Sequence, residues 1–311
     1  MGKVFDPANV DDVPFMKEFA QSPSAIVFDD FVRVFFSCRP AIDESGQYLS
    51  YLGFVDLDRS DLMKIRGVSQ KPIIPLGELG TFDEFGTNPA SVIATNDGLV
   101  MYYTGWTRCV SVPVSTSIGI AISHDNGVEF KRLGPGPVLS FSPDEPFTLG
   151  SPRIKKFNGK YYLWYVAGKK WVQHHVKAEP VYKIRMATSE DGINWTKTGR
   201  DLIENILEED ECQASAEVFF RGGKYHMYFS YRYNTDFKSK GRGYRIGYAH
   251  SEDLLHWTRA DELAGIDMSE SGWDSDSISY PNIFELDGQI YMLYQGNEMG
   301  RCGFGLALLE K

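Results

Sequence analysis

Carboxylate side chains gather at a few places in this sequence, each just before or inside a short apolar run. Acidic clusters stand at 83–84, 144–145, 209–211 and 274–276, and Glu217 lies within an apolar run. Two carboxylates across a pocket, one as proton donor and one as nucleophile or base, are what glycoside hydrolysis requires. We therefore predict catalytic candidates at Glu217, Glu211, Glu145 and Asp276. The alternatives are solvated loop charges, caps on backbone amides or, for Glu217, a structural ion pair with Arg153.

Two segments, 169–185 and 232–245, are basic although the chain carries a net charge of −10. Ten Lys and Arg residues stand there against Glu179 and Asp236. Such segregation favours an anionic ligand: a phosphate, a nucleotide sugar or a carboxylated sugar. The alternative is that the loops are basic for solubility. These segments, together with an aromatic residue for stacking on a sugar, give the predicted ligand-binding residues Trp106, Lys169, His174, His175 and Arg232.

Neither a metal site nor a cofactor is predicted. His174 and His175 could ligate a metal, but adjacent side chains are expected to point different ways, so we predict no metal there. The four cysteines lie far apart without a CxxC pair, which favours reduced thiols in a cytoplasmic protein.

An aromatic-rich cassette that recurs about every 63 residues must position these side chains. Its copies are 99–105, 161–168, 225–231 and 290–296, with a weaker first copy at 32–38. Repeated short strands indicate radial repetition, because one small sheet cannot bury its own faces. We predict an all-β fold, a five-bladed β-propeller that forms a single domain over 1–311. A strand near residues 3–5 is expected to complete the last blade and close the ring.

In a propeller, the innermost (A) strands begin around a central pocket whose walls are the loops between the second (B) and third (C) strands. When the copies are aligned at the start of the A strands, one position carries a different residue type in each of four copies: Ala90, Arg153, Glu217 and Asn282. A purely structural repeat would keep one residue type at this position. The remaining predicted binding residues are Asn88, Arg153, Tyr280, Asn282 and Asn297. In blade 3 we expect strands at 152–157, 161–167 and 182–189, with 169–185 as the B–C loop. One helical turn is expected at 201–207.

The same composition argues against other partners. A net charge of −10 disfavours a nucleic-acid partner, since phosphate backbones reward a basic surface. No apolar run of 18 or more residues is present, so no membrane partner is predicted. The first residues lack the apolar core of a secretory signal. We expect a cytoplasmic protein with a small-molecule saccharide as partner, and the oligomeric state stays open.

The Pro-started inner strands and second strands such as Tyr161-Tyr-Leu-Trp-Tyr resemble the five-bladed propellers of glycoside hydrolase families 32, 43 and 130. Ser151-Pro152-Arg153-Ile154 resembles the Glu-Asp-Pro-Arg segment of the family 130 mannoside phosphorylases, and Asn88-Pro89 resembles their Asn-Pro segment. The blade 5 run from Tyr280 through Asn297 to Ala307 resembles that of uncharacterised bacterial glycosidase-like proteins. The likeness extends from about residue 22 to residue 307.

The sequence departs from these families at their acids, where it has Ser22, Ser151 and Ala214. No catalytic residue can therefore be transferred by position. The resemblance implies an enzyme, a hydrolase or a phosphorylase, that acts on a glycosidic or glycosyl-phosphate bond of an anionic saccharide. Glu217 would be its general acid, with one of the other three acids as partner. The alternative is a non-catalytic propeller that binds a saccharide or a nucleotide sugar.

Overall fold

Short strands of alternating apolar residues follow one another along the chain, joined by tight turns. Asn158 and Gly159 form one such turn with φ of 50° and 84°, a left-handed conformation that Asn and Gly adopt at little cost. The computed structural model describes residues 1–44 and 46–309, with the backbone alone at position 89. Within these residues the strands pair into five sheets of four strands each.

The blades follow one another in chain order after β1 (Gly2–Phe5). Blade 1 contains β2 (Glu18–Val27), β3 (Phe31–Arg39), β4 (Tyr51–Asp58) and β5 (Ile65–Val68). Blade 2 contains β6 (Gly86–Thr95), β7 (Gly98–Arg108), β8 (Val114–Ser123) and β9 (Lys131–Arg132). Blade 3 contains β10 (Leu149–Phe157), β11 (Lys160–His174), β12 (Lys177–Ser189) and β13 (Thr196–Lys197). Blade 4 contains β14 (Cys212–Arg221), β15 (Lys224–Arg232), β16 (Arg245–Ser251) and β17 (Thr258–Arg259). Blade 5 contains β18 (Ser279–Leu286), β19 (Gln289–Gln295) and β20 (Phe304–Leu308).

Helical segments are short. Single 3-10 turns lie at Pro7–Asn9 and Asp261–Leu263, and a four-residue turn lies at Asn297–Gly300. Across the residues that the structure describes, no helix has the length and apolar character needed to cross a bilayer.

The ring is closed by the N-terminal strand, which confirms the predicted five-bladed propeller. β1 pairs antiparallel with β20, so that Gly2 faces Leu306 and Phe5 faces Phe304. The buried Phe5 ring packs against Phe304 at 5.5 Å and against Phe36 of blade 1 at 4.8 Å between centroids. One apolar cluster therefore joins the last blade to the first.

Two local predictions are wrong, one for blade 3 and one for the approach to blade 4. Most of 169–185 is not a loop, because β11 and β12 continue as a long hairpin in which His174 pairs with Lys177. Residues 201–207 form no helical turn. The amide groups of Ile206 and Leu207 donate instead to the carboxylate of Glu211, at 3.0 Å each, which removes the need for helical hydrogen bonds.

Every A strand begins with an irregularity in its pairing, which shapes the centre of the ring. The register shifts near Gln21–Ser24, Thr87–Ala90, Gly150–Arg153, Ala214–Glu217 and Ser279–Asn282. At four of these places a non-glycine residue has a left-handed backbone, namely Ser22, Ser151, Ser215 and Tyr280, with φ of 51–55°. Bulges of this kind re-aim side chains and are common beside functional sites.

Candidate active-site cavity

A cavity of about 740 Å³, here called the mouth cavity, opens where the A strands begin, between blades 1, 4 and 5. Its volume suits a small ligand. Its walls come from the start of β2, the end of β3, loop 233–244 of blade 4 and the segment before β18. The turn 297–300 and Arg301 complete it. The side chains in its lining that could bind a ligand or react with it are Gln21, Arg39, Tyr48, Lys238, Lys240, Tyr244, Asp276, Glu298 and Arg301.

Arg39 is a cation of this cavity whose guanidinium contacts aromatic rings. Its guanidinium lies over the rings of Phe19, at 4.3 Å, and Tyr48, at 5.0 Å. Its Nη2 donates to Gln21 Oε1 at 3.3 Å, while the buried Nε has no hydrogen-bond partner. Burial lowers the pKa of Arg39 from its usual value. Within the described residues Arg39 forms no ion pair, so its charge is available to a ligand.

Gln21 holds two walls of the cavity together. Its Nε2 donates to the carbonyl of Met299 at 2.7 Å, and its Oε1 accepts from Asn88 Nδ2 at 3.1 Å as well as from Arg39. The turn that it holds is strained, since Glu298 and Met299 have φ of 52° and 60°. Left-handed backbone at such residues persists only where neighbouring contacts enforce it, and it is frequent at functional sites.

Asp276 and Glu298 are the acids in the lining of the mouth cavity. Asp276 is exposed, and within the described residues its carboxylate has no hydrogen-bond or ion-pair partner. Its backbone amide donates to Asn297 Oδ1 at 2.7 Å, as does that of Ser277 at 3.0 Å. The predicted residue Asn297 thus positions Asp276. Glu298 lies 3.6 Å from Nη1 of Arg301.

Glu145 and Glu211 belong to an ion-pair arrangement that recurs from blade to blade. In each case a buried acid before the A strand contacts a tyrosine of the B strand, a cation of the outermost strand, or both. The sets are Asp83 with Tyr103 and Arg132, Glu145 with Tyr165 and Lys197, Glu211 with Arg259, and Asp274 with Tyr294, at 2.7–2.9 Å. Each acid is 0–5% exposed. The geometry gives these carboxylates a structural part in the blade, and their catalytic role stays a prediction.

Glu217 is buried in the centre of the ring. It forms an ion pair with Lys155, accepts from Asn282 Nδ2 at 3.2 Å and lies 3.9 Å from Arg153 Nε. Arg153 donates to Ser215 and Ser22, and burial lowers its pKa. Glu217 and Arg153 are each 1% exposed. These contacts fit the alternative of a structural ion pair, while the prediction of a general acid is not tested by them.

Arg232 and Tyr280 support the cavity wall from behind. Arg232 is buried, and its guanidinium lies 3.8 Å from the centroid of the Phe237 ring. Its Nη1 donates to the carbonyls of Tyr233 and Asn234, at 2.7 and 2.9 Å, which fixes the start of loop 233–244. Tyr280 packs against Tyr244, a cavity residue, at 5.9 Å between centroids. Burial raises the pKa of both phenols.

The other predicted binding residues lie away from the mouth cavity. Trp106 packs on Phe85 in blade 2, with ring centroids 6.4 Å apart. Lys169 pairs with Asp201 at 3.1 Å, beside a second cavity of about 620 Å³ at the rim between blades 3 and 4. His174 and His175 lie at the tip of the blade 3 hairpin.

Much of the basic charge noted in the sequence is compensated by acids from other segments. Lys170 pairs with Asp210 at 2.8 Å, Arg185 with Asp201 at 2.7 Å and with Glu145 at 3.0 Å, and Arg242 approaches Glu208 at 3.8 Å. Lys238 and Lys240 of segment 232–245 line the mouth cavity, together with Arg39 and Arg301 from outside the two basic segments.

Three charged residues of the mouth cavity, Arg39, Glu298 and Arg301, are not identified from the sequence. Arg39 directly follows the weak first copy of the cassette, as Trp106, Lys169, Arg232 and Asn297 follow theirs. If the first copy of the cassette is treated like the other four, the residue that follows it, Arg39, is identified as a site residue. Glu298 stands in a B–C loop with no carboxylate pattern, so the sequence carries no comparable signal for it.

Comparison with known proteins places the chain among propellers. No protein-family model matches it. The uncharacterised Mycobacterium tuberculosis protein Rv1502 is 35% identical over 311 residues, covering 100% of this chain and 98% of that protein. A 1,2-beta-oligomannan phosphorylase from Thermoanaerobacter is 28% identical over 196 residues, which are 62% of this chain and 57% of the phosphorylase.

Solved structures of three enzyme families share the fold. A family 130 structure described as a glycoside hydrolase that targets beta-1,2 mannosidic linkages covers 99% of this chain and 91% of its own, with a TM-score of 0.70 and 17% identity. A thermostable family 43 glycoside hydrolase covers 94% and 90%, with a TM-score of 0.69 and 14% identity. The Bombyx mori family 32 beta-fructofuranosidase covers 93% and 61%, with a TM-score of 0.64 and 17% identity. The resemblance to families 32, 43 and 130 is thereby confirmed for the fold.

Proposed function

The chain belongs to the same family as the Mycobacterium tuberculosis protein Rv1502, and from this premise we propose that it is a carbohydrate-active enzyme. The proposed reaction breaks a glycosidic or glycosyl-phosphate bond of an anionic saccharide in the mouth cavity. The observation that carries the proposal is Arg39, whose guanidinium lies over two aromatic rings and, among the described residues, forms no ion pair, in a cavity that also contains two acids. Aromatic rings bind the faces of sugars, and a guanidinium binds phosphate or carboxylate.

Asp276 and Glu298 are the proposed acids of the reaction. Of the four acids predicted from the sequence, only Asp276 lines the mouth cavity. Glu298 joins it because the strained turn presents its side chain to the same space. Together they provide the proton donor and the base or nucleophile that a glycosidase needs. In a phosphorylase, incoming phosphate replaces the second carboxylate, and Arg39, Lys238 and Lys240 would bind it.

Weak similarity to the mannan phosphorylase supports phosphorolysis as one form of this activity. A second candidate function is binding without turnover. It is favoured by Ser22, Ser151 and Ala214, which stand where the resembling families carry acids. We also propose a cytoplasmic location, because all four cysteines are free, as expected in a reducing compartment.

Turnover assays test the proposal. The full chain is incubated with beta-1,2-mannosides, sugar phosphates and uronides, each with and without inorganic phosphate. We expect turnover of an anionic substrate, and Asp276→Asn should lower kcat by about 10²–10⁴-fold, the usual contribution of an acid or base. Glu252→Gln is the matched control. Glu252 is an exposed acid that directly follows β16, whereas loop 233–244 of the cavity wall precedes this strand.

The outcomes separate the candidates. Turnover that requires phosphate supports a phosphorylase, and turnover without it supports a hydrolase. Saturable binding with no turnover supports the binding protein. Full activity in both Asp276→Asn and Glu298→Gln would overturn the assignment of the acids.

A further inference from the structure

Two histidines and an aspartate from neighbouring blades form a cluster outside the mouth cavity. His174 ends β11, His175 begins the hairpin turn, and Asp236 lies in loop 233–244 of blade 4. The imidazole centroids are 4.1 Å apart, and His174 Nε2 lies 3.0 Å from Asp236 Oδ1. One donor atom of each residue lies within 4.8 Å of the other two. In the part of the chain that the structure describes, no second group of three such side chains meets this distance.

We propose that His174, His175 and Asp236 bind a divalent transition-metal ion, with Zn²⁺ as the ion that best fits the donors. Imidazole nitrogens and a carboxylate oxygen are ordinary zinc ligands. With bonds of about 2.0–2.2 Å, two donors on a tetrahedral zinc ion lie about 3.3–3.6 Å apart. The separation of His174 and Asp236 is close to this already. Rotation of the exposed His175 side chain brings the third donor into range.

Left-handed backbone explains why adjacent histidines can share one ion. His175 has a φ of 49° and Asp236 has a φ of 54°. In a regular strand, the side chains of consecutive residues point to opposite faces. The turn at His175 breaks that alternation and brings its ring beside that of His174, contrary to the expectation from sequence.

The third donor distinguishes this cluster from an ordinary histidine–aspartate hydrogen bond. His256 and Asp253 form such a bond at 2.7 Å on the surface, within one turn of blade 4. That pair belongs to no group of three donors among the described residues. A metal ion at the cluster completes its coordination with water and displaces any proton held between His174 and Asp236 to solvent.

The proposed ion joins the hairpin tip of blade 3 to loop 233–244, which forms part of the mouth-cavity wall. The hairpin tip belongs to blade 3, whereas Asp236 directly precedes Phe237, a residue of the cavity wall. An ion bound to both would restrict loop 233–244 without contacting a ligand in the cavity. The proposal needs only metal binding, so it stands or falls independently of the enzymatic function.

Zinc titration of the tag-free, chelator-treated full chain tests the site. Calorimetry with Zn²⁺ should give one ion per chain, and Co²⁺ should give the visible absorption of a nitrogen- and oxygen-bound ion. His174→Ala, His175→Ala and Asp236→Asn should each weaken Zn²⁺ binding by at least about tenfold, since even loss of an outer-shell partner weakens metal affinity 10- to 100-fold. His256→Ala should bind as the wild type does.

Several results would overturn the proposal. The wild type could bind no Zn²⁺, all variants could bind alike, or His256→Ala could lose as much affinity as His174→Ala. Equal binding in all variants would indicate an ion at another place, such as the exposed Cys109 or Cys302. If His174→Ala fails to fold, His175→Gln decides the question, because the His175 side chain is exposed and we expect its replacement to leave the fold intact.

Discussion

Gln21 of blade 1 donates from Nε2 to the carbonyl oxygen of Met299 in blade 5, at 2.7 Å. The two residues are 278 positions apart in the sequence, so this bond joins the two ends of the ring at the mouth cavity. Gln21 also accepts from Arg39, the cation that we propose for anion binding. One buried amide thereby sets the relative positions of a cationic wall and a strained acidic turn.

Removal of this amide tests its positioning role. Gln21→Ala should lower the free energy of unfolding by about 1–3 kcal/mol, because the buried partners lose their hydrogen bonds. It should also raise KM for the anionic substrate, since Arg39 and the turn at 297–300 lose their common anchor. Gln70→Ala is the control, because the Gln70 side chain is exposed and contacts the carbonyl of Val68 in its own segment. A normal KM in a folded Gln21→Ala protein would contradict the role.

Replacement of Arg39 tests anion recognition. Arg39→Lys keeps the positive charge but loses the planar group that lies over Phe19 and Tyr48. We expect Arg39→Met to weaken binding of a sugar phosphate by at least about tenfold, and Arg39→Lys to recover only part of this loss, as charged hydrogen bonds contribute about 1.5–3 kcal/mol. Calorimetry with a sugar phosphate and its neutral parent sugar measures both. Equal losses for the two sugars would show that Arg39 packs against the ring instead of binding the anion.

The control for Arg39 is Arg59→Met. Arg59 pairs with Asp287 on the surface of the ring at 2.6 Å and does not line the mouth cavity. Its loss should leave the binding of both sugars unchanged.

Sequence alone predicts the blades well, because each repeat contains the features that make a blade fold. Each cassette combines an apolar strand, a left-handed turn and an aromatic strand, and burial of these faces requires neighbouring blades. The ends of strands are harder to predict. The basic residues of 169–185 suggested a loop, yet β11 and β12 pair through this region as a two-stranded hairpin. Charged residues are compatible with a strand when both faces of a hairpin meet solvent.

The candidate site is predicted less completely, because burial and pairing are properties of the folded ring. Asp276 and Glu145 are similar in sequence context, yet Asp276 is exposed at the cavity and Glu145 is enclosed by Tyr165, Arg185 and Lys197. The partner cations come from two-residue outer strands such as Thr196–Lys197. The sequence contains one sign of these ion pairs, which is a cation at the second position of the outer strand in three blades: Arg132, Lys197 and Arg259.

The buried pair of Glu145 and Lys197 makes the structural reading testable. Glu145→Gln leaves Lys197 and Arg185 without this shared carboxylate and should lower the free energy of unfolding by about 3–5 kcal/mol. Lys197→Met should cost less, because Arg185 stays 3.0 Å from the Glu145 carboxylate. The double variant should lose less than the sum of the two, because it removes both charges. Denaturant unfolding of the four proteins measures this coupling. Wild-type stability together with lost activity in Glu145→Gln would instead support the catalytic role predicted from sequence.

The turn that precedes the outer strand of blade 3 should make stability depend on pH. Hydrogen bonds from the backbone and side chain of Asn194 and from the Ile193 amide hold the pKa of Asp191 well below its usual value. Because the folded-state pKa is lower than the unfolded one, the stabilisation is fully present above about pH 3.9, the ordinary aspartate pKa. It is lost as the pH falls through the folded-state value.

Asp191→Asn removes this ionisation and is expected to lower Tm near neutral pH. The Tm difference from the wild type should shrink as the pH falls below about 4. In that range the Asp191 carboxylate of the unfolded wild-type chain becomes protonated, which favours the unfolded state of the wild type. Thermal unfolding between pH 7 and the acid limit of the fold checks this, with the exposed Asp11→Asn as the matched control. A Tm difference that stays constant with pH would show that Asp191 acts through packing and not through its charge.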